Sequence, residues 1–325
     1  MPTPNALPDD AVARFRDDFA TLVGPADDGL IGIAISGGPD SVALLLLAVA
    51  AFPGRVEAAT VDHRLRAASG REAGFVAELC ATMNVAHEIL MLEDLARGNV
   101  SASAREARYD ALDAWADRRD IAWLATAHHA DDQLETMVMR LNRASGVAGL
   151  AGVRARRGRI VRPLLNWRHA ELVEIVSSAG VVAVDDPSNR DDRYDRARLR
   201  KALAGADWLD PQAIVRSAAA LDEADRALDW VILKFRSERL VDHADAWTYD
   251  AVGLPGELRR RALIDCLRVV DPASRPRGIT IERLMAALRA DAVGTIGRVR
   301  CSARDGVWRF TLAPPRRVKA NTARD

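Results

Sequence analysis

The chain has 325 residues, which is longer than one compact small domain and predicts two. It is 49% hydrophobic and 28% charged with a formal net charge of +0, a composition that excludes disordered, collagen-like and fibrous proteins. The longest apolar run, 42–52, is shorter than the ~18 residues that a membrane-spanning helix needs. The N-terminus is acidic and does not resemble a secretory signal. We therefore expect a cytoplasmic protein with no membrane partner.

The cysteine pattern excludes several kinds of site. Cys80, Cys266 and Cys301 are odd in number, widely spaced and outside any C-x-x-C pair. This spacing argues against a disulfide scaffold, a zinc ribbon and a cysteine-held cluster.

The charges are unevenly distributed along the chain. Between Thr136 and Ala170 there is no Asp or Glu. The segment contains eight arginines, which are Arg140, Arg143, Arg154, Arg156, Arg157, Arg159, Arg162 and Arg168. Such a positive field attracts phosphates, although a solvated face in an arginine-rich chain also explains it.

Predicted strands and helices alternate through the first two hundred residues. The predicted strands are 30–35, 55–61, 87–92, 121–127 and 159–165. The predicted helices are 42–52, 71–83, Ser101 or Ser103 to about Arg119, 131–142 and 169–179. Strands joined through helices imply right-handed crossovers and a parallel sheet. Residues 1–203 are therefore predicted to form a doubly wound α/β domain with helices on both faces of the sheet.

The pattern changes after residue 203. Helical periodicity covers 210–238, 254–270 and 280–289, and a short hairpin is predicted at 297–312 around Asp305-Gly306. Residues 204–325 are thus predicted to form a second, smaller and mostly helical domain. It ends in a basic tail that contains Arg316, Arg317 and Lys319.

A glycine-rich segment lies between the first predicted strand and the first predicted helix. It reads Ser36-Gly37-Gly38-Pro39-Asp40-Ser41. A helix N-terminus at the carboxyl end of a parallel strand presents N–H groups to anions, and glycines let a phosphate approach the backbone. A Walker A loop is excluded because the first lysine is Lys201. A carboxylate inside a phosphate loop suggests a Mg²⁺ ion at Asp40; a Gly-Gly turn with a capping side chain is the alternative.

This segment resembles the mark S-G-G-x-D-S of the PP-loop family of ATP pyrophosphatases. The resemblance implies the adenine nucleotide alpha hydrolase-like fold and a loop that grips the pyrophosphate part of ATP. It also implies cleavage between the α- and β-phosphates to adenylate a substrate oxygen. ATP and Mg²⁺ are the expected cofactors.

Further segments over about residues 30–202 are similar, in the same order, to those of the tRNA(Ile)-lysidine synthetase family. They are Val61-Asp62-His63-Arg64-Leu65-Arg66, Ala104-Arg105-Glu106-Ala107-Arg108-Tyr109, Thr126-Ala127-His128-His129-Ala130-Asp131-Asp132-Gln133-Leu134-Glu135-Thr136, Arg162-Pro163-Leu164-Leu165, Asp186-Pro187-Ser188-Asn189 and Arg196-Ala197-Arg198-Leu199-Arg200. The family commonly has Asn where this chain has Ala197, so that polar contact is missing or supplied elsewhere.

The resemblance implies a two-step reaction. The wobble cytidine of tRNA(Ile) with a CAU anticodon is adenylated at its C2 oxygen with release of pyrophosphate. The amine of free L-lysine then attacks that carbon and expels AMP, which leaves lysidine. The second domain is expected to contact the tRNA.

The resemblance also assigns residues to roles. The ATP-binding residues are Ser36, Gly37, Gly38, Pro39, Asp40, Ser41, Asp62 and His63, with Asp40 as the metal ligand. The residues expected at the reacting groups are Asp40, Arg105, Arg108, His128, Arg196 and Arg200. Asp132 and Glu135, three apart on one helix face, are expected to bind lysine. A second Mg²⁺ site or an exposed face without a ligand are the alternatives for this pair, and Arg108 is as well explained by a carboxylate partner.

Other functions of the superfamily fit less well. A tRNA 2-thiolation enzyme is the main alternative, but such enzymes generally need paired cysteines or a bound cluster. GMP synthetase and asparagine synthetase normally carry a glutaminase part, which has no room before Leu30. A nucleotide sensor without turnover would leave the acidic pair and the arginines without a role. The sequence does not specify the number of subunits, and a homodimer is compatible with it.

Overall fold

The structure is a computed structural model that describes residues 3–25, 27–62, 69–92, 100–184, 195–276 and 278–313. The chain divides into two compact units, Met1–Asp222 and Glu223–Asp325. No helix in the described ranges is both long enough and apolar enough to span a bilayer.

The first unit alternates strands and helices, as predicted. Its strands are β1 (Leu30–Ala34), β2 (Val56–Asp62), β3 (Ala86–Met91), β4 (Ile121–Ala125), β5 (Arg156–Arg157) and β6 (Ile160–Val161). Its helices are α1 (Asp9–Val23), α2 (Pro39–Ala51), α3 (Ser69–Thr82), α4 (Val100–Arg118), α5 (Ala130–Leu141), α6 (Val147–Leu150), α7 (His169–Ser178) and α8 (Asp195–Leu203). Helices α1, α6 and α8 and strand β5 were not among the predicted elements.

The last predicted strand of this unit, 159–165, is shortened to β6. Pro163 has no N–H to give to a neighbouring strand. The chain then turns, because Leu165 donates its N–H to the carbonyl oxygen of Arg162 at 3.3 Å and Trp167 donates to that of Leu164 at 2.9 Å. An apolar run that reads as a strand therefore becomes a turn that fills the core.

The sheet of the first unit has the order β3-β2-β1-β4-β6-β5. All neighbours are parallel except β5, which pairs with β6 in the antiparallel direction. The chain moves outward from β1 through β2 to β3 and then returns to the other side of β1. The strand order thus reverses between β1 and β4, and ligands of doubly wound sheets bind in the crevice at such a point.

Helices cover both faces of this sheet. On one face, α1, α2, α3 and α7 form one apolar core, in which α2 is buried on nearly all sides. On the other face, α4 packs Trp115 against the strands. A side chain at Gly32 in β1 would place its Cβ only 2.7 Å from the Trp115 ring, so the close approach of α4 requires glycine there.

The second unit contains more strand than the sequence predicted. Its elements, beginning with a helix that crosses the division between the units, are α9 (Pro211–Arg239), β7 (Leu240–Asp242), β8 (Trp247–Asp250), α10 (Gly256–Val270), α11 (Gly278–Arg289), β9 (Gly294–Ile296), β10 (Val299–Arg304) and β11 (Val307–Leu312). The strands form an antiparallel sheet in the order β7-β8-β11-β10-β9. The β10–β11 hairpin turns at Asp305-Gly306, as predicted, with both residues at positive φ. The compact units divide at residue 222 rather than 203, and the boundary of the predicted functional domains stays a prediction.

A buried arginine ties α9 to α10 within the second unit. Arg261 is 7% exposed and lies 2.5 Å from Asp225, 2.5 Å from Asp229 and 2.8 Å from Glu257. Removing one partner of a buried ion pair leaves an uncompensated charge, which costs more than losing an exposed pair.

We therefore expect Arg261→Met to lower the free energy of unfolding by about 3–5 kcal/mol. Arg260→Met, which removes only a partly exposed contact with the same Glu257, should cost less than about 1 kcal/mol. Urea unfolding followed by circular dichroism measures both. Equal losses in the two variants would contradict the assignment of Arg261 as the buried link.

Candidate active site

The glycine-rich segment forms the turn between β1 and α2. Gly37 has a φ of +87°, which glycine adopts without strain. Gly38 is the N-cap of α2, and Pro39 occupies the first turn, where a missing N–H costs no helical hydrogen bond. The Ser41 hydroxyl donates to the Gly38 carbonyl oxygen at 2.9 Å and accepts from the Ser36 N–H at 3.2 Å. These bonds fix the loop around a helix N-terminus, an arrangement suited to phosphate.

Asp40, in the first turn of α2, is contacted by histidines from two other segments. Nδ1 of His169, the first residue of α7, lies 2.7 Å from Asp40 Oδ1. Nε2 of His129, the N-cap of α5, lies 3.5 Å from Asp40 Oδ2. The N-termini of α2, α5 and α7 therefore meet at one carboxylate. One ligand atom from each of the three residues lies within 4.8 Å of the others, close enough to hold a metal ion.

The charge states of this cluster follow from its contacts. Burial alone would raise the pKa of Asp40, but the hydrogen bonds and positive charge of His129 and His169 hold it below its usual range. Burial would lower the pKa of His129, yet Asp131, Asp40 and Asp132 raise it to about 10. The hydrogen bond to Asp40 also raises the pKa of His169. At neutral pH the loop thus holds an ionised carboxylate beside a protonated His129.

Asp132 and Glu135 lie on one face of α5, as their spacing predicts. The Glu135 side chain is only 4% exposed, and its two oxygens face two arginines of α8. Arg200 Nε lies 2.6 Å from Glu135 Oε1, and Arg196 Nε lies 2.9 Å from Oε2. Arg200 Nη2 also lies 3.9 Å from Asp132 Oδ1. The two arginines predicted to lie at the reacting groups are therefore bound to a carboxylate predicted to bind lysine, and both roles stay predictions.

A second positive cluster surrounds His128, which follows β4. His128 Nδ1 lies 3.0 Å from the Thr126 hydroxyl. Burial, opposed by Asp132 and assisted by nearby arginines that include Arg105 and Arg108, lowers the pKa of His128 to about 3. The adjacent histidines of this motif therefore carry different charges at neutral pH, with His128 neutral and His129 protonated.

The arginine-rich segment without acids obtains acidic partners from elsewhere in the chain. The ion pairs are Arg143–Asp195, Arg154–Asp222, Arg159–Asp117 and Arg168–Asp131. Tertiary structure thus neutralises part of a field that the local sequence presents as wholly positive.

The remaining predicted residues are placed only in part. Asp62 ends β2, at the same edge of the sheet as the glycine-rich loop. His63 lies outside the described residues, as do the Asp186-Pro187-Ser188-Asn189 motif and the basic tail.

Two residues of this site were missed by sequence reasoning. Asp131 accepts the His169 N–H at 2.7 Å and pairs with Arg168, and so holds the start of α7 against α5. His169 in turn contacts Asp40, which is 129 positions away in the sequence. One sequence feature could have indicated His169, because it begins a predicted helix that follows a predicted strand. A polar side chain at such a position reaches the carboxyl edge of the sheet.

Comparisons with known proteins agree with this geometry. A family model described as the PP-loop domain matches residues 12–206. A protein from Novosphingobium aromaticivorans named tRNA(Ile)-lysidine synthase is 43% identical over 315 residues, which cover 94% of this chain and 95% of that protein. One of the same name from Zymomonas mobilis is 38% identical over 320 residues, which cover 93% of this chain and 94% of that protein.

A solved structure shares the fold at low sequence identity. It is the U34-tRNA thiolase NcsA from Methanococcus maripaludis with its 4Fe-4S cluster, with a TM-score of 0.54 and 14% identity, covering 66% of this chain and 79% of that one. The likeness extends the evidence for the α/β fold and carries nothing about the reaction.

The lowered pKa of His128 predicts a particular acid sensitivity. Because the folded state favours neutral His128, its contribution to stability is complete above the ordinary pKa of 6.5 and is lost as pH falls toward about 3. Between pH 7 and pH 5 the loss is at most about 2 kcal/mol. His128→Gln should remove this part of the acid sensitivity in urea unfolding, and His243→Gln, at an exposed position of the second unit, should not. An unchanged pH dependence in His128→Gln would contradict the assignment.

Proposed function

Because this chain belongs to the PP-loop family and, within it, to the tRNA(Ile)-lysidine synthases, we propose that it joins lysine to C2 of the wobble cytidine of tRNA(Ile) with a CAU anticodon. It is a ligase that acts on tRNA and uses ATP. The cytidine O2 attacks the α-phosphorus of ATP and pyrophosphate leaves. The lysine amine then attacks C2, a proton is lost from nitrogen, and the C2–O bond breaks with departure of AMP.

The observation that carries the proposal is the meeting of three helix N-termini at the glycine-rich loop. The N–H groups of α2 and the serine hydroxyls form a phosphate cradle. Protonated His129 adds positive charge beside it. Such fixed charges stabilise the negative charge that grows on pyrophosphate as it leaves.

Asp40 is proposed to hold Mg²⁺ with the phosphates. Its carboxylate is ionised, is 30% exposed and stands in the first turn of α2, and Mg²⁺ is commonly bound by one or two carboxylates plus phosphate oxygens and water. Bound there, the ion would neutralise phosphate charge during adenylation. His169 is half exposed, so it is free to turn away from Asp40 when another cation takes its place.

Lysine recognition is proposed for Asp132 and Glu135. Two carboxylates on one helix face are suited to an ammonium group. In this structure Arg196 and Arg200 neutralise Glu135. Lysine therefore binds to Glu135 only after at least one guanidinium has moved away, and the phosphate of the adenylated tRNA is a ligand that would draw it away. This gives the reaction an order in which adenylation precedes lysine binding.

The cysteines speak against the thiolation alternative. All three are buried and lie in described parts of the chain. Burial raises the pKa of Cys80 and of Cys301 to about 12, and burial also raises that of Cys266. Buried thiols with raised pKa values are poor sulfur carriers, because the thiolate is the reactive form.

With ATP, lysine and tRNA as substrates, we propose that the protein acts in the cytoplasm.

The function is tested by incubating the protein with ATP, Mg²⁺, lysine and unmodified tRNA(Ile) bearing CAU, followed by mass spectrometry of the digested nucleosides. One cytidine should gain the mass of lysine minus water. Asp40→Ala should abolish adenylation, whereas Glu135→Ala should mainly impair the use of lysine. Sulfur in place of oxygen, formed only with a sulfur donor, would identify a thiolation enzyme instead, and unchanged cytidine would contradict the proposal.

The pairing of Arg200 with Glu135 makes a separate prediction about lysine binding. Arg200→Met removes one guanidinium from Glu135, so the protein without ATP or tRNA should bind lysine several times more tightly than the unaltered protein. Equilibrium dialysis with labelled lysine measures this directly.

Arg198→Met on the same helix is the matched control, since Arg198 pairs with Asp195 and lies away from Glu135. It should leave lysine affinity unchanged. If Arg200→Met binds lysine as the unaltered protein does, or less tightly, then Arg200 does not occupy the lysine site.

A further inference from the structure

Three arginines lie close together at the carboxyl edge of the sheet, next to His128. Arg162 directly follows β6, and Arg105 and Arg108 come from the first half of α4. All three lower the pKa of His128 by their positive charge. Burial lowers the pKa of Arg162 and the neighbouring Tyr109 opposes this, and the Arg105 guanidinium carbon lies 5.4 Å from the centre of the Tyr109 ring. We call Arg105, Arg108 and Arg162 the arginine pocket.

Arg162 is the buried member of this pocket. It is 6% exposed, and burial lowers its pKa. Its Nη1 donates to the carbonyl oxygen of Arg154 at 2.5 Å, but its buried Nε has no hydrogen-bond partner among the described residues. A buried charged donor without a partner is costly and rare in folded proteins.

Within the described ranges, no carboxylate forms an ion pair with any member of the arginine pocket. Burial lowers the pKa of Arg108 and of Arg162, and repulsion from Arg105 lowers both in the same direction. Neighbouring arginines of the same unit are paired, as Arg159 is with Asp117. The pocket is therefore a concentration of like charge that this part of the protein does not neutralise.

A phosphate group has the properties that this pocket lacks. It carries negative charge and several acceptor oxygens, and guanidinium groups bind such oxygens in bidentate geometry. Because His128 follows β4 and Arg162 follows β6, the arginine pocket lies at the edge of the sheet that also carries the glycine-rich loop.

We propose that Arg105, Arg108 and Arg162 bind one phosphate group of a substrate, with Arg162 as a binding residue to which the family resemblance assigned no role. The inference rests on the proposed function, which supplies two phosphates of this chemistry. One is the α-phosphate of ATP, and the other is a backbone phosphate of the tRNA beside the target cytidine.

Two binding measurements distinguish these sources. The first is calorimetric titration of the protein with α,β-methylene-ATP and Mg²⁺, and the second is filter binding of unmodified tRNA(Ile) at several salt concentrations. Each uses the full chain and the variants Arg162→Met, Arg162→Lys and Arg159→Met. Neither measurement requires lysine or turnover. The binding of phosphate by the arginine pocket is therefore tested independently of whether the protein forms lysidine.

Arg162→Met should weaken one of the two ligands by at least about tenfold. A loss confined to the nucleotide identifies the α-phosphate. A loss confined to tRNA, with the slope of log Kd against log salt reduced by about one, identifies a backbone phosphate. Arg162→Lys should fall between the unaltered protein and Arg162→Met, because lysine keeps the charge but loses the planar fork.

Arg159→Met is the control, since it removes a neighbouring arginine that already has a carboxylate partner. It should bind both ligands as the unaltered protein does. If Arg162→Met and Arg162→Lys bind both ligands like Arg159→Met, the pocket takes no substrate phosphate and the proposal is overturned. Should Arg162→Met fail to fold, Arg162→Lys decides the question by the same two measurements.

Discussion

The reversal of strand order between β1 and β4 is the constraint on which the rest of this protein depends. Chain segments that leave the two strands diverge, and a crevice opens at their carboxyl ends. Into it project the glycine-rich loop after β1 and the two histidines after β4. The starts of α2, α5 and α7 converge there, so the imidazole rings of His129 and His169 contact a single carboxylate, Asp40. An enzyme that binds phosphate groups needs such hydrogen-bond donors close together.

The crevice contains several charged side chains that are buried or partly buried. They are stabilised there because carboxylates and cations pair with one another. Asp40 is stabilised by His129 and His169, and Glu135 by Arg196 and Arg200. If the proposed function is correct, these pairs occupy substrate positions, because an arginine guanidinium is bound to Glu135, the carboxylate proposed to bind lysine. Substrate binding then exchanges one set of ion pairs for another. This exchange costs less free energy than holding unpaired charges in the crevice would. The arginine pocket differs, since no carboxylate in the described ranges pairs with it.

Sequence patterns predicted the first unit well and the second less completely. The unbroken apolar run of α2 and the apolar strand β1 leave little ambiguity, because both are buried along nearly their whole length. In the second unit, β7, β8 and β9 have three or four residues each, too few for alternation to stand out. Strand β7 pairs with its neighbour β8, and β9 with its neighbour β10. Only β8 pairs with the hairpin across a long stretch of sequence, through β11, so local preference could not reveal that pairing. The helix α1 was missed because its acidic start masks a narrow apolar face with Phe15 and Phe19.

The sequence by itself determined the parallel α/β architecture, the glycine-rich loop between β1 and α2 and the residues that carry the family resemblance, because periodicity and glycine spacing are local properties. Tertiary structure decided which of these residues meet. His169 reaches Asp40 across 129 positions, and Arg196 and Arg200 reach Glu135 rather than a phosphate. It also supplied acidic partners to four arginines of the segment without acids and, within the part of the chain that the structure describes, none to Arg162. Pairing of charges depends on distances in space and on burial, and neither can be read from positions along the chain.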